Sequence, residues 1–198
     1  MSRKVEFFFD VGSPTTYLAW TQLPALCAES GAELVYRPTL LGALFQATGN
    51  ASPAAVPAKG RYMDADMARH ARRYGVPFAM NPFFPINTLT LMRGATGVQL
   101  RAPERFDAYL HGVFHAMWVE PQNLNDPATA AQALAAAGFE PAEVMGWAGD
   151  AEVKAALRAT TEEAVARGAF GAPTMFVGTE MFFGQDRLEF VREALRSS

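Results

Sequence analysis

The run Val5-Glu6-Phe7-Phe8-Phe9 is short, apolar and aromatic, which predicts a buried strand, and Gly12 allows a tight turn behind it. Ser13 followed by Pro14 predicts a helix start. The serine oxygen caps a backbone N–H of the first turn, and proline is preset for the first helical position. That helix is predicted over 14–30, kinked at Pro24, with a second strand over 33–37. From there to the 168 region the pattern is helical. Helices are predicted at 41–48, 58–74, 88–97, 103–119, 126–137, 141–147 and 150–167, punctuated by proline and glycine as in Gly75-Val76-Pro77 and Glu120-Pro121. A loop from Gly168 to Thr174 then leads into Met175-Phe176-Val177, a turn, a strand from Glu180 and a terminal helix.

The two ends of the chain therefore read β-α-β and β-β-α, the thioredoxin arrangement, with everything between them helical. The expected fold class is α/β: a thioredoxin-like fold formed by 1–40 and 169–198, with a large all-helical insertion over 41–168. At 198 residues and 50% hydrophobic, the chain can bury a full core as one compact unit. A net charge of −3 with mixed signs gives no electrostatic case for nucleic acid or membrane. The basic run Arg69-His70-Ala71-Arg72-Arg73 is diluted by Asp64 and Asp66 and reads as a wet helix face. No stretch approaches the roughly 20 apolar residues of a membrane span, and the first apolar run stops at Asp10, too early for a secretory signal. A cytoplasmic, reducing location is expected.

Cys27 is the single cysteine and shares a helical stripe with Leu23 and Leu26, so burial is expected. With one cysteine and no C-x-x-C motif, disulfide exchange by the protein's own thiols is excluded. His111 and His115 have a spacing that can bind metal, but Gly112 stands where a metalloprotease motif has glutamate and no third ligand stands out. A packing or surface role is expected for them, and no metal. Phe83, Phe84, Phe106, Tyr109, Phe114 and Trp118 are expected mainly in the core, with some facing a cleft.

Ser13 occupies the place where a thiol-redox protein carries its nucleophilic cysteine, which shifts the chemistry onto a bound thiol. The bland reading is a helix cap and nothing more. Capping uses an oxygen lone pair, however, and leaves the hydroxyl proton for a ligand. A free thiol with a pKa near about 8.5 is only a few per cent ionised at neutral pH. A hydrogen bond to a charged acceptor, worth about 1.5 to 3 kcal/mol, lowers that pKa by about one to two units, and the helix dipole adds to it. Attack by the serine itself is not expected, because no motif places a base beside it.

Four separated segments carry a family resemblance: Ser13-Pro14-x-x-Tyr17-Leu18-Ala19; Gly49-Asn50 with Val56-Pro57-Ala58-Lys59-Gly60-Arg61-Tyr62; Asn81-Pro82-x-Phe84-Pro85-x-Asn87-Thr88; and Gly171-x-Pro173-Thr174 with Gly184-x-Asp186-Arg187-Leu188. In this order and spacing the chain resembles the family of bacterial 2-hydroxychromene-2-carboxylate isomerases and kappa-class glutathione transferases, relatives of DsbA-like oxidoreductases. The resemblance implies glutathione as cofactor, with Ser13 holding its sulfur as thiolate. It further implies a cis-proline at Pro173, the backbone of Ala172 against the cysteinyl part, and Gly184, Gln185 and Asp186 at the γ-glutamyl end. Asn50, Lys59 and Asn87 are implied on the substrate side, with Lys59 supplying positive charge. Ala172 stands where relatives often have a bulkier residue, and Gln185 where serine is frequent. A small aromatic oxo-acid substrate and a homodimer are also implied. Three functions follow: a glutathione-dependent isomerase of aromatic 2-oxo acids in aromatic catabolism, a kappa-class-like transferase acting on electrophiles, and a non-enzymatic thioredoxin-fold binding module.

Overall fold

The computed structural model describes residues 3–197. Its sheet has the order β2-β1-β3-β4. The strands are β1 (Lys4–Phe9), β2 (Glu33–Pro38), β3 (Thr174–Val177) and β4 (Glu180–Phe183). β2 runs parallel to β1, whereas β3 is antiparallel to both β1 and β4. Phe7 sits opposite Tyr36 on one side and Met175 on the other, so the predicted aromatic strand is the centre of the sheet.

Helix α1 (Pro14–Ser30) joins the parallel strands, and α9 (Leu188–Ser197) ends the chain. Between β2 and β3 run α2 (Leu41–Thr48), α3 (Pro57–Tyr74), α4 (Leu89–Arg101), α5 (Phe106–Trp118), α6 (Pro127–Ala136), α7 (Pro141–Gly149) and α8 (Ala151–Ala166). The expected thioredoxin-like α/β fold with a helical insertion is what forms. Two expected helices differ in detail. α4 continues past Gly97 to Arg101, and the stretch expected as one helix over 103–119 opens with a separate 3₁₀ turn, Pro103–Arg105.

Alternation along β1 divides the core. Val5, Phe7 and Phe9 face an apolar cluster that runs without a break through Leu18 and Leu23 of α1, Met92 of α4, and Tyr109, Phe114 and Trp118 of α5. Phe8 faces the opposite side with Leu44, Ala164 and Phe176. There Arg167 lies 3.8 Å from the Phe176 ring centre and pairs with Glu6 at 2.9 Å. The inserted helices thus pack into the same apolar interior as the sheet. Trp118, fully buried, donates its indole N–H to the Val11 carbonyl at 2.8 Å and so fixes the turn after β1 from the insertion side. Cys27 is buried as expected, and burial pushes its thiol up to about 11. Among the described residues no helix is long and apolar enough to cross a membrane.

Candidate functional site

The turn that Trp118 fixes delivers Ser13 to the floor of a cleft of about 960 Å³. Its walls are the start of α1, the near face of α2, the 84–89 segment, the 170–172 loop and the 183–187 turn. Ser13 is 5% exposed and takes an extended backbone as the N-cap of α1, where its Oγ accepts the Thr16 N–H at 3.2 Å. The cap forms as predicted. The hydroxyl proton, expected to be spare, is not: Ser13 Oγ donates to the Ala172 carbonyl at 2.9 Å, and Thr15 Oγ1 lies 2.8 Å away. The 170–172 loop brings that carbonyl to the helix start, an acceptor that capping logic alone could not reveal.

The peptide bond between Ala172 and Pro173 is cis, as expected, and a further cis bond joins Phe84 and Pro85. Pro173 is buried behind the cleft wall, and its carbonyl accepts the Gly184 N–H at 3.0 Å, which ties the loop to the 184–187 turn. Gly184, Gln185 and Asp186 all line the cleft. Gln185 is buried, with its carbonyl accepting the Tyr74 hydroxyl at 2.8 Å. Asp186 is exposed and paired with Arg187 at 2.6 Å, so carboxylate and guanidinium stand side by side at one end of the cleft.

Asn50 and Asn87 reach the cleft, but each also holds backbone. Asn50 donates to the Phe170 carbonyl at 2.9 Å and accepts the Ala51 N–H at 2.8 Å. Asn87 accepts the Leu89 N–H at 3.1 Å, shaping the start of α4. Lys59 is not brought in. It is exposed in a separate shallow depression that shares only Pro53 and Met63 with the cleft. Lys59 precedes Met63, the α3 residue that lines the cleft, by one helical turn, so the cleft meets α3 only beyond it, which a motif match does not report.

Asp10 is a cleft residue that sequence reasoning missed. It is fully buried and lines the cleft. Its carboxylate accepts the Gly12 N–H at 2.9 Å, the Leu41 N–H at 2.8 Å and the Thr88 hydroxyl at 3.0 Å. Leu41 begins α2, whose N-cap Leu40 has no polar side chain to offer, and Thr88 is the N-cap of α4. One carboxylate therefore ties the turn before α1 to the starts of α2 and α4, which wall the cleft. Burial pushes its pKa above the ordinary carboxylate value of 3.8, against the pull of these three donors. At Gly12 a side chain would meet the Thr88 methyl at 2.7 Å, so the close approach requires glycine.

The aromatic residues divide between core and cleft as expected, except that Phe83 is exposed. Phe106, Tyr109, Phe114 and Trp118 are buried in the core, whereas Phe84 lines the cleft together with Phe45, Phe170 and Phe183. The rings of Phe170 and Phe183 lie 4.5 Å apart. His111 packs edge-on to Trp20 at 4.6 Å, a packing role as expected. Among the described residues no group of three or more His, Cys, Asp or Glu could hold a metal.

A thioredoxin fold with a helical insertion and a serine at the head of its first helix defines the class. The profile of the DSBA-like thioredoxin domain matches residues 4–196, and the chain belongs to that family. It is 31% identical over 200 residues to a 2-hydroxychromene-2-carboxylate isomerase of Sphingobium xenophagum, covering 98% of this chain and 99% of that protein. It is 29% identical over 207 residues to glutathione S-transferase kappa 1 of Homo sapiens, covering 98% and 92%. A solved structure of 2-hydroxychromene-2-carboxylate isomerase superposes with a TM-score of 0.86 at 28% identity, covering 98% of this chain and 95% of that one.

Proposed function

We propose that this protein is a glutathione-dependent isomerase of aromatic 2-oxo acids, interconverting 2-hydroxychromene-2-carboxylate and trans-o-hydroxybenzylidenepyruvate or a close analogue. The observation that carries the reading is Ser13: a buried hydroxyl, on the positive end of α1, at the floor of a cleft with an aromatic wall and a charged end. A sulfur placed there meets the helix dipole and, once the Ser13 proton turns from Ala172, an O–H donor, and both favour thiolate over thiol. The paired Asp186 and Arg187 suit the α-ammonium and α-carboxylate of a γ-glutamyl group. Phe84, Phe170 and Phe183 offer apolar surface to a planar ring.

In this reading the thiolate adds to the conjugated double bond of the ring-opened substrate, and the electron pair moves to the 2-oxo oxygen as an enolate. The former double bond is now single and rotates. Collapse of the enolate expels the thiolate, so glutathione is regenerated. Ser13 keeps its own proton throughout and stabilises sulfur when it carries charge, both before addition and after elimination.

The test is an ultraviolet difference titration with glutathione at neutral pH, beside Ser13→Ala. A thiolate band that saturates in the wild type and is lost in the variant supports the reading, to be followed by isomerisation at catalytic glutathione. A transferase is the second reading, favoured by the nearly equal identity to the kappa-class relative. It would consume glutathione stoichiometrically where an isomerase does not. Glutathione binding with no thiolate band in either protein would point to a binding module.

A further inference from the structure

We propose that Thr15 is a positioning residue: it takes over the Ala172 carbonyl when Ser13 turns its proton to a bound thiolate. The inference rests on the glutathione reading above and concerns how Ser13 becomes available.

Two hydroxyls share one carbonyl at the head of α1. Ser13 Oγ donates to Ala172 O at 2.9 Å, Thr15 Oγ1 reaches the same oxygen at 3.4 Å, and the two hydroxyl oxygens are 2.8 Å apart. Ser13 Oγ also accepts the Thr16 N–H. Each hydroxyl has one proton to give. With the Ser13 proton on Ala172, the Thr15 proton points at Ser13 Oγ, and both are spent inward. For Ser13 to meet sulfur, its proton must leave Ala172, whose residue is only 6% exposed. A buried carbonyl stripped of its donor resists that turn, because its lost hydrogen bond is not replaced by water.

Thr15 removes the obstacle. It is half-buried on the cleft wall, already near the carbonyl, and a rotation of its hydroxyl moves its proton from Ser13 to Ala172. Ser13 then donates to sulfur, Thr15 donates to Ala172, and the Thr16 N–H remains capped. No bond other than hydrogen bonds changes; the thiol proton leaves to solvent, and both hydroxyls keep theirs. Without the Thr15 hydroxyl, Ala172 and the thiolate compete for a single proton.

The experiment is a pH titration of the thiolate band at saturating glutathione in wild type, Thr15→Val and Thr15→Ser, with thermal melts of each. Valine keeps the β-branched shape and removes the hydroxyl. Thr15→Val is expected to raise the apparent pKa of bound glutathione by about one unit, a tenfold loss of thiolate below that pKa, with little change in melting temperature. Thr15→Ser is expected to titrate as wild type does. An unchanged pKa in Thr15→Val, or the same shift in Thr15→Ser, overturns the proposal while leaving the glutathione reading intact. Absence of any thiolate band in the wild type overturns both.

Discussion

The indole of Trp118, at the end of α5, donates to the carbonyl of Val11 at 2.8 Å, two residues before Ser13. A helix of the insertion thereby sets the turn on which the candidate site stands.

Trp118→Phe keeps much of the apolar volume but strips that buried carbonyl of its donor. The expected cost is about 1–3 kcal/mol, read as a lower urea midpoint with an unchanged slope. A midpoint equal to wild type would show that the bond contributes nothing.

Glu6 lies against Arg167 at 2.9 Å under the sheet. Burial raises its pKa, but the hydrogen bond and charge of Arg167, with Lys4 and Arg37, outweigh this and hold it below its ordinary 4.5. A carboxylate depressed in the folded state contributes stability that is complete above the unfolded value and is lost as pH falls through the folded one. The melting temperature of wild type should therefore fall more steeply than that of Glu6→Gln between about pH 5 and pH 3. Parallel profiles would remove Glu6 from the account of acid stability.

Among the described residues lining the cleft, the charged side chains are Asp10, Asp186 and Arg187, and Lys59 stands outside. Arg187→Ala should raise the KM for glutathione about tenfold or more, the loss of one charge-assisted hydrogen bond. Lys59→Ala should leave kcat/KM within about threefold of wild type. A large kcat effect at Lys59 would mean that its side chain enters the cleft during turnover.

Side chains at Gly171 test the aromatic wall. A Cβ there would lie 2.8 Å from the Phe183 ring, so Gly171→Ala must displace that ring and disturb its packing on Phe170. The KM for an aromatic substrate should rise several-fold while glutathione affinity holds, a split readable by steady-state kinetics with each varied in turn.

Local signals made the framework legible. Ser13-Pro14 at one end and Gly31 at the other bracket α1, found at Pro14–Ser30 where 14–30 was expected. α4 continues because Gly97 lacks a stop signal beside it, and Val98 is buried; the helix ends at Arg101, with Ala102 as its cap before Pro103. The site was half legible. Ser13 stood out because its role begins with its immediate neighbours, Pro14 and Thr16. Asp10 did not, since a polar residue after a strand reads as a strand end, and its meaning lies in Leu41 and Thr88, 31 and 78 positions away. Phe170 and Phe183 were hidden likewise, because a loop and a strand end show no period that says which way a ring points.

The carboxylate of Asp10 has a consequence for assembly. With the cleft closed around it but α2 or α4 displaced, this carboxylate would lose the Leu41 or Thr88 donor and keep only that of Gly12, so distorted forms of the cleft are penalised. A graft that exchanged the insertion between relatives would have to carry the partners of this residue, Leu41 and Thr88, with it.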